Sequence, residues 1–398
     1  VANTILTATA VTREALRVLH QKLSFVGSIT RDYDDRFAQT GAKIGSTLKV
    51  RLPNQYTVRS GAVMDVNDTV ESSVDLVVSS QKGVDMSFTD QDLTLSLDDF
   101  SERVIEPAMS VLAANIEADA LSMYKDVAQQ VNNTGSAATF EKVLLGRKML
   151  VDALAPINDR MVQLNTQDNV DMVSELKGLF NKDSTISKQN TEGYLGRTAG
   201  FDFSENTLIP SHTRGSANTS YVVDTTALAT DGTEYATVTL ATGSGTINKG
   251  DVFTIATLYR VHPETKVSTG VLRQFTCTTT SAGGAVALAI SPSIILGGAK
   301  QNTTVVSASA TAGVTFAGTA STAHGISLAY QKGAFAFATA DLVMPRGVDF
   351  AARESIDGIS MRIVRQFDIN NGSFPCRLDV LYGYKTLRPQ LACRLANR

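Results

Sequence analysis

Apolar residues recur at helical spacing in four stretches of this chain and at alternate positions in several others, which predicts an α+β protein. Thr12 precedes Ala15, Leu16, Leu19 and Leu23, the signature of a short amphipathic helix near the start. The longest periodic run covers 107–131, where Val111, Leu112, Ile116, Ala120, Leu121 and Tyr124 form one stripe. Asp99 and Glu102 precede it at capping-box spacing, and Pro107 opens or kinks the helix. About 25 residues at 1.5 Å each make a rod of roughly 37 Å, long enough for a spine. Helical periodicity returns at 140–154 and 170–181.

Alternation marks the strands. Two arms, 48–59 and 70–78, flank the turn signal Ser60-Gly61-Ala62 and read as a long hairpin with no third strand beside it. Arms of roughly 15 residues at about 3.3 Å per residue extend roughly 50 Å, a reach that predicts contact with another subunit. Near the end, 335–342, 359–369 and 378–387 read as strands, the last two joined through Asn371-Gly372, a strong hairpin signal.

Composition isolates the middle of the chain. Between Ser211 and Tyr330 only 11 of 120 residues are charged, about half the 19% density of the whole. Short alternating runs at 235–240, 252–258, 272–277 and 286–290 are separated by Gly-rich turns, as in a small antiparallel barrel. A complete β module is therefore expected inside a loop of an α+β host, an arrangement tolerated where chain ends lie close together.

Bulk properties narrow the function. A net charge of -3 carries no basic signature of a nucleic-acid reader. No apolar run approaches a membrane span, and the first ten residues lack a basic start before an apolar block, so neither a membrane anchor nor a leader is expected. Cys277, Cys376 and Cys393 are odd in number and widely spaced, which predicts free thiols in a reducing cytoplasm. The four histidines have no metal-ligand spacing, and no phosphate loop, dinucleotide fingerprint or nucleophile elbow occurs. Gly243-Ser244-Gly245 lacks the outer glycine of an elbow and reads as a hairpin loop. Asp32-Tyr33-Asp34-Asp35 lacks the glycine and terminal Glu of a calcium loop and reads as a solvated acidic loop. No catalytic residue, metal site or cofactor is predicted, and the chain is not read as an enzyme.

Charge is distributed unevenly along the host. Lys43, Lys49, Arg51 and Arg59 fall within 43–59, which has no acid, whereas 85–119 holds nine acids against Arg103. Both stretches read equally well as solvated faces or as halves of an interface. On the interface reading, the basic arm of one copy meets the acidic helix start of its neighbour, and complementary charge sets register and partner choice. The candidate inter-subunit contacts are Lys49, Arg51, Arg59, Asp90, Asp99 and Glu102.

The tail Ala338-Thr-Ala-Asp-Leu-Val-Met-Pro345, Gly347-Val-Asp-Phe-Ala-Ala-Arg353, Gly358-Ile-Ser-Met-Arg-Ile-Val-Arg365 and Phe374-Pro-Cys-Arg-Leu-Asp-Val-Leu-Tyr-Gly383 resembles the major coat protein family of short-tailed enterobacterial phages. So do Ala2-Asn3-Thr4-Ile5-Leu6-Thr7, Gly41-Ala-Lys-Ile-Gly-Ser-Thr-Leu48 with Pro53, and Val261-His-Pro-Glu-Thr-Lys266 with Gly270 and Arg273-Gln-Phe275. The resemblance implies the tailed-phage major capsid fold shared with herpesvirus capsid floors, with an inserted antiparallel β-barrel. The boundaries it suggests are an N-terminal arm 1–42, an extended loop hairpin 43–89, a peripheral domain with spine helix 90–131 and an axial domain 132–205. The inserted barrel then covers 206–324, the axial return 325–345 and the C-terminal peripheral strands 346–398. It further implies self-assembly into pentamers and hexamers of an icosahedral shell, on a scaffolding protein, with a portal at one vertex. The shell would enclose double-stranded DNA without sequence recognition and form in the host bacterial cytoplasm. The alternative carried by the Ser/Thr-rich middle is a secreted β-rich surface-layer or adhesin protein.

Overall fold

The computed structural model describes residues 8–31, 46–58, 61–62, 64, 71–88, 104–176, 196–218, 220–356, 358–369 and 374–398. They form two compact units, each assembled from separate pieces of sequence.

The first unit gathers α1 (Ala8–Lys22), β1 (Ser46–Arg51), β2 (Ser73–Val78), β3 (Ser80–Phe88) and α2 (Glu106–Leu121) with four late strands. These are β18 (Phe335–Ala340), β19 (Phe350–Ile356), β20 (Ile359–Arg365) and β21 (Phe374–Thr386), in the sheet order β18-β21-β20-β19. The long strand β21 is the hub: it pairs antiparallel with β18, β20 and β3. The expected hairpin of β20 and β21 is present with Ile363 opposite Leu378, and β19, which the sequence pattern did not announce, pairs along all of β20. Alternation turns Ile359, Met361, Ile363, Leu378 and Val380 inward, each at most 1% exposed.

The spine is shorter than its apolar periodicity suggests. α2 ends at Leu121 and tightens into a 3-10 turn, Ser122–Asp126, so the α-helix is 16 residues and about 24 Å long. Its buried face is Met109, Leu112, Ala113, Ile116, Glu117, Ala120 and Leu121, while Val111 points outward at 60% exposure. α1 begins at Ala8, before Thr12, which is buried within the helix and is not its cap.

β1 and β2 form a two-stranded sheet whose root is anchored by Leu76, Val78, Ala336, Ala338, Ala340 and Leu381. The approach there is close: a Cβ on Gly383 would lie 2.3 Å from the Val77 carbonyl oxygen. The strand of the first arm ends at Arg51, one further bond runs from the Leu52 N–H to the Ser72 carbonyl at 2.8 Å, and residues 52–58 form no strand, so the six-residue strands span about 20 Å.

The second unit holds a mixed six-stranded sheet and a barrel. The sheet order is β4-β22-β17-β5-β7-β6, from β4 (Gln130–Asn132), β5 (Arg160–Leu164), β6 (Arg197–Thr198), β7 (Phe201–Glu205), β17 (Ile326–Gln331) and β22 (Ala392–Ala396). α3 (Phe140–Asp152) and α4 (Thr166–Leu176) cover it; α3 lies in the expected 140–154, whereas α4 begins four residues before the expected 170–181, of which 177–181 lie outside the described residues. α3 seats Val143, Gly146 and Leu150, and a Cβ on Gly146 would lie 3.0 Å from Leu395.

Six strands close the barrel: β9 (Val222–Val223), β10 (Glu234–Thr242), β11 (Val252–Val261), β12 (Ser268–Cys277), β13 (Ala287–Ile295) and β15 (Ala312–Phe316). They run β12-β13-β10-β9-β15-β11 and return to β12, while β14 (Thr303–Val305) adds to β11 outside the ring. Every run expected from alternation lies within one of these strands except that 286 precedes β13. The core stacks Phe253, Phe275, Phe316 and Tyr221 with ring centroids 5.5–6.0 Å apart. Gly243 and Gly245 sit in the loop after β10, at φ of 135° and 91°, against Tyr221; the loop is not the expected hairpin turn, because β10 and β11, which it joins, are not paired. Entry and exit strands β8 (His212–Thr213) and β16 (Ala323–His324) pair antiparallel, so the module joins its host through one narrow neck.

Candidate functional site

The acidic stretch 85–119 is the candidate surface the sequence points to. Among the described residues its acids are engaged inside the first unit. Glu117, 1% exposed, accepts from the backbone N–H groups of Phe25 and of Val26 (3.2 Å) and from the Ser24 hydroxyl (3.0 Å), holding the helical turn Phe25–Ser28 against α2. Asp119 Oδ2 accepts from Lys82 Nζ at 2.7 Å and from the Tyr382 hydroxyl at 2.6 Å. Burial, then that hydrogen bond, raises the Tyr382 phenol above its ordinary value. Glu106 lies 3.5 Å from Lys22 and Asp85 3.7 Å from Arg377.

The six candidate contacts divide accordingly. Lys49 and Arg51 are exposed on β1, and Arg51 lies 3.4 Å from Glu71, an acid the charge count did not pair with it. Arg59, Asp90, Asp99 and Glu102 lie outside the described residues. The chain beyond β1 exposes Tyr56 (66%), Val58 (95%) and Met64 (77%), apolar groups with no core over them.

A polar junction in the second unit is new relative to the sequence pattern. The Tyr124 hydroxyl lies 3.1 Å from His212 Nδ1, and His212 Nε2 lies 2.9 Å from Asp251 Oδ1. With the proton on Nε2, the imidazole donates to the carboxylate and accepts from the phenol. Asp251 also accepts from the backbone N–H of Gly215 (3.0 Å) and of Asn248 (2.8 Å). Arg394, fully buried at the host sheet, donates to the Gly250 carbonyl at 2.8 Å and stands 5.8 Å from the Tyr124 ring centroid. His324 packs edge-on to His212 at 5.5 Å; burial first, then His212 and Arg394, lowers its pKa to about 4. Burial likewise pushes the Tyr124 phenol to about 12. Gln274 closes the junction by pairing with both backbone groups of Gln130 at 2.9 Å, and Arg260 reaches Asp152 at 2.7 Å.

The Tyr–His–Asp chain thus holds the barrel on its sheet: each polar group in it is engaged by another part of the fold. Its sequence signal was faint. Asp251 is one of the few charges in a charge-poor module, and such a residue needs a structural partner when buried. No group of three metal-ligating side chains occurs among the described residues, and no helix there is long and apolar enough to cross a membrane.

Beside the junction, α3 and β12 wall a groove of about 450 Å3. Val131, Leu145, Met149 and Leu272 give it an apolar lining, with Lys142, Lys148 and Arg273 around it.

The P22 coat protein family (P22 coat protein, gene protein 5) matches residues 35–394. The chain belongs to the P22 coat protein family. Among solved structures the fold is similar to Mycobacterium phage Che8, at a TM-score of 0.50 and 13% identity, covering 94% of this chain and 90% of that one. Weaker likenesses are to the capsid of cyanophage P-SCSP1u (TM-score 0.43, 10% identity, 91% and 85% covered) and the mature capsid of bacteriophage PhiM1 (0.42, 12%, 88% and 82%). No curated protein matches it in sequence. The fold is that of tailed-phage capsids with an inserted barrel, and this member of the P22 coat protein family is a major capsid protein of the bacteriophage virion. Its role is that of a self-associating structural protein, and the family implies no enzymatic one.

Proposed function

We propose that the chain forms the pentamers and hexamers of an icosahedral shell enclosing double-stranded DNA, assembled in the host bacterial cytoplasm. The observation that carries this reading is the family match across 35–394, which takes in both units and the barrel. Assembly proceeds on a scaffolding protein, with a portal at one vertex. The domain boundaries expected from the sequence stand as part of this proposal. The extended loop packs on a neighbouring copy beside that copy's spine helix; Lys49 and Arg51, both exposed, and the uncovered Tyr56 and Val58 support it. Arg59, Asp99 and Glu102 complete that contact, and Asp90 meets another copy nearby.

DNA is confined and not read. Residues 341–398 carry nine basic and six acidic side chains, a net of +3, and small counterions neutralise most phosphate charge. The secreted adhesin reading is not supported by the family match. Co-expression with the scaffolding protein followed by velocity sedimentation tests the proposal: shells of megadalton size are expected, and a chain that stays monomeric overturns it.

A further inference from the structure

The groove between α3 and β12 has three properties that point to one kind of occupant. Its lining is apolar, through Val131, Leu145, Met149 and Leu272. Four cations border it: Arg260 is paired with Asp152, the acid in the lining, while Lys142, Lys148 and Arg273 form no ion pair with a described residue. Its third property is an open strand edge. In the parallel pairing of β4 with β22, the Gln129 carbonyl accepts from Arg394 and the Asn133 N–H donates to Ala396, so Val131 faces β22 and the backbone groups of Gln130 and Asn132 face the groove. Gln274 already occupies the Gln130 position in the manner of a strand partner, which leaves Asn132. An apolar wall, three cations with no ion pair among the described residues and a strand edge together fit an extended acidic peptide with alternating apolar residues.

We propose that this groove receives residues 90–98 of a second copy of the chain. That sequence, Asp90-Gln91-Asp92-Leu93-Thr94-Leu95-Ser96-Leu97-Asp98, has three acids, no cation and leucines at alternate positions. In an extended conformation its leucines fall on one side and its acids on the other. The inference rests on the coat-protein reading, which supplies neighbouring copies at high local concentration. It gives Asp90 a defined partner surface and leaves Asp99 and Glu102 beside the arm.

Two measurements test it. A fluorescent peptide of residues 89–99 is titrated with the full-length monomer and read by anisotropy. Binding is expected, weakened at least about tenfold by Lys148→Glu with Arg273→Glu. Absence of binding, insensitivity to those reversals, or equal binding of a peptide of residues 64–72, which is acidic but lacks the leucine alternation, overturns the proposal. Second, a Lys148→Cys chain and a Leu95→Cys chain are prepared separately, mixed, assembled and treated with a short bismaleimide. The native cysteines are buried and stay silent. A cross-linked pair containing both chains is expected. If shells sediment normally without it, or if Val170→Cys in place of Lys148→Cys gives it equally, the groove assignment fails while the coat reading stands. If wild-type chains form no shells, it is the coat reading that fails.

Discussion

His324 makes the seat of the barrel sensitive to acid. Its folded pKa is about 4, below the ordinary 6.5, because burial and the neighbouring His212 and Arg394 disfavour the imidazolium. The unfolded chain therefore binds the proton more readily across this window. Stability from the neutral ring is fully present above pH 6.5 and is lost as the pH falls towards 4. At about 1.36 kcal/mol per tenfold, the whole gap corresponds to about 3 kcal/mol, of which about 2 kcal/mol is already lost at pH 5. His324→Gln removes the titration. Urea unfolding of the wild-type and variant monomers, followed by an NMR signal from the barrel between pH 7.5 and 4, isolates His324 together with the His212, Arg394 and Asp251 charges coupled to it, since titrating groups remote from it cancel in the difference. The variant's disadvantage at pH 7.5 is expected to shrink by about 3 kcal/mol at pH 4. A wild-type-to-variant difference that stays constant over this range refutes the reasoning.

Glu117→Ala strips the turn Phe25–Ser28 of its acceptor and leaves buried N–H groups unsatisfied, at a cost of about 2–3 kcal/mol; early proteolytic cleavage near residue 24 reports it, and unchanged protection contradicts it. Gly243→Ala puts a Cβ 2.2 Å from the Tyr221 ring at a φ of 135°, so the barrel is expected to unfold or precipitate, whereas Gly135→Ala, at φ 80° in open space, costs roughly 1 kcal/mol; equal melting temperatures of the two variants would defeat the distinction. Arg51→Glu with Arg59→Glu is expected to impair shell formation while circular dichroism of the monomer is unchanged; normal shells count against the arm contact. Residues 206–324 expressed alone are expected to give dispersed amide signals with β shifts, because the barrel's buried cluster lies wholly between Ala217 and Phe316; random-coil shifts would refute autonomy.

How much of this was legible depended on the range of the interaction. Alternation marked the barrel strands because one face of each is buried in the same local core: Val238 and Leu240 on β10 face it, as do Leu288 and Ile290 on β13. The spine's length was misread for the complementary reason. Apolar spacing continues through Tyr124, but Tyr124 is buried by its bond to His212 and its place under Arg394, partners 88 and 270 residues away. Periodicity registers burial and not which element covers a side chain. The acidic stretch was overread as surface: Glu117 and Asp119 carry charge, yet their partners Phe25, Lys82 and Tyr382 come from three other segments.

The same contrast explains how a module can be carried inside the coat fold. The barrel's apolar core closes on itself, and a set of polar links ties it to the host: Tyr124 with His212, Gln130 with Gln274, Asp152 with Arg260, Arg394 with Gly250, and the Thr276 hydroxyl to the Lys125 carbonyl at 3.0 Å. An apolar seam would tolerate sliding and would merge the two cores into one folding unit. Directional hydrogen bonds instead fix the module's orientation and leave each core complete. The neck of His212 opposite His324 is both the covalent entry and the centre of that polar seat, so one pair of short strands sets where the barrel stands and at what pH it stays there.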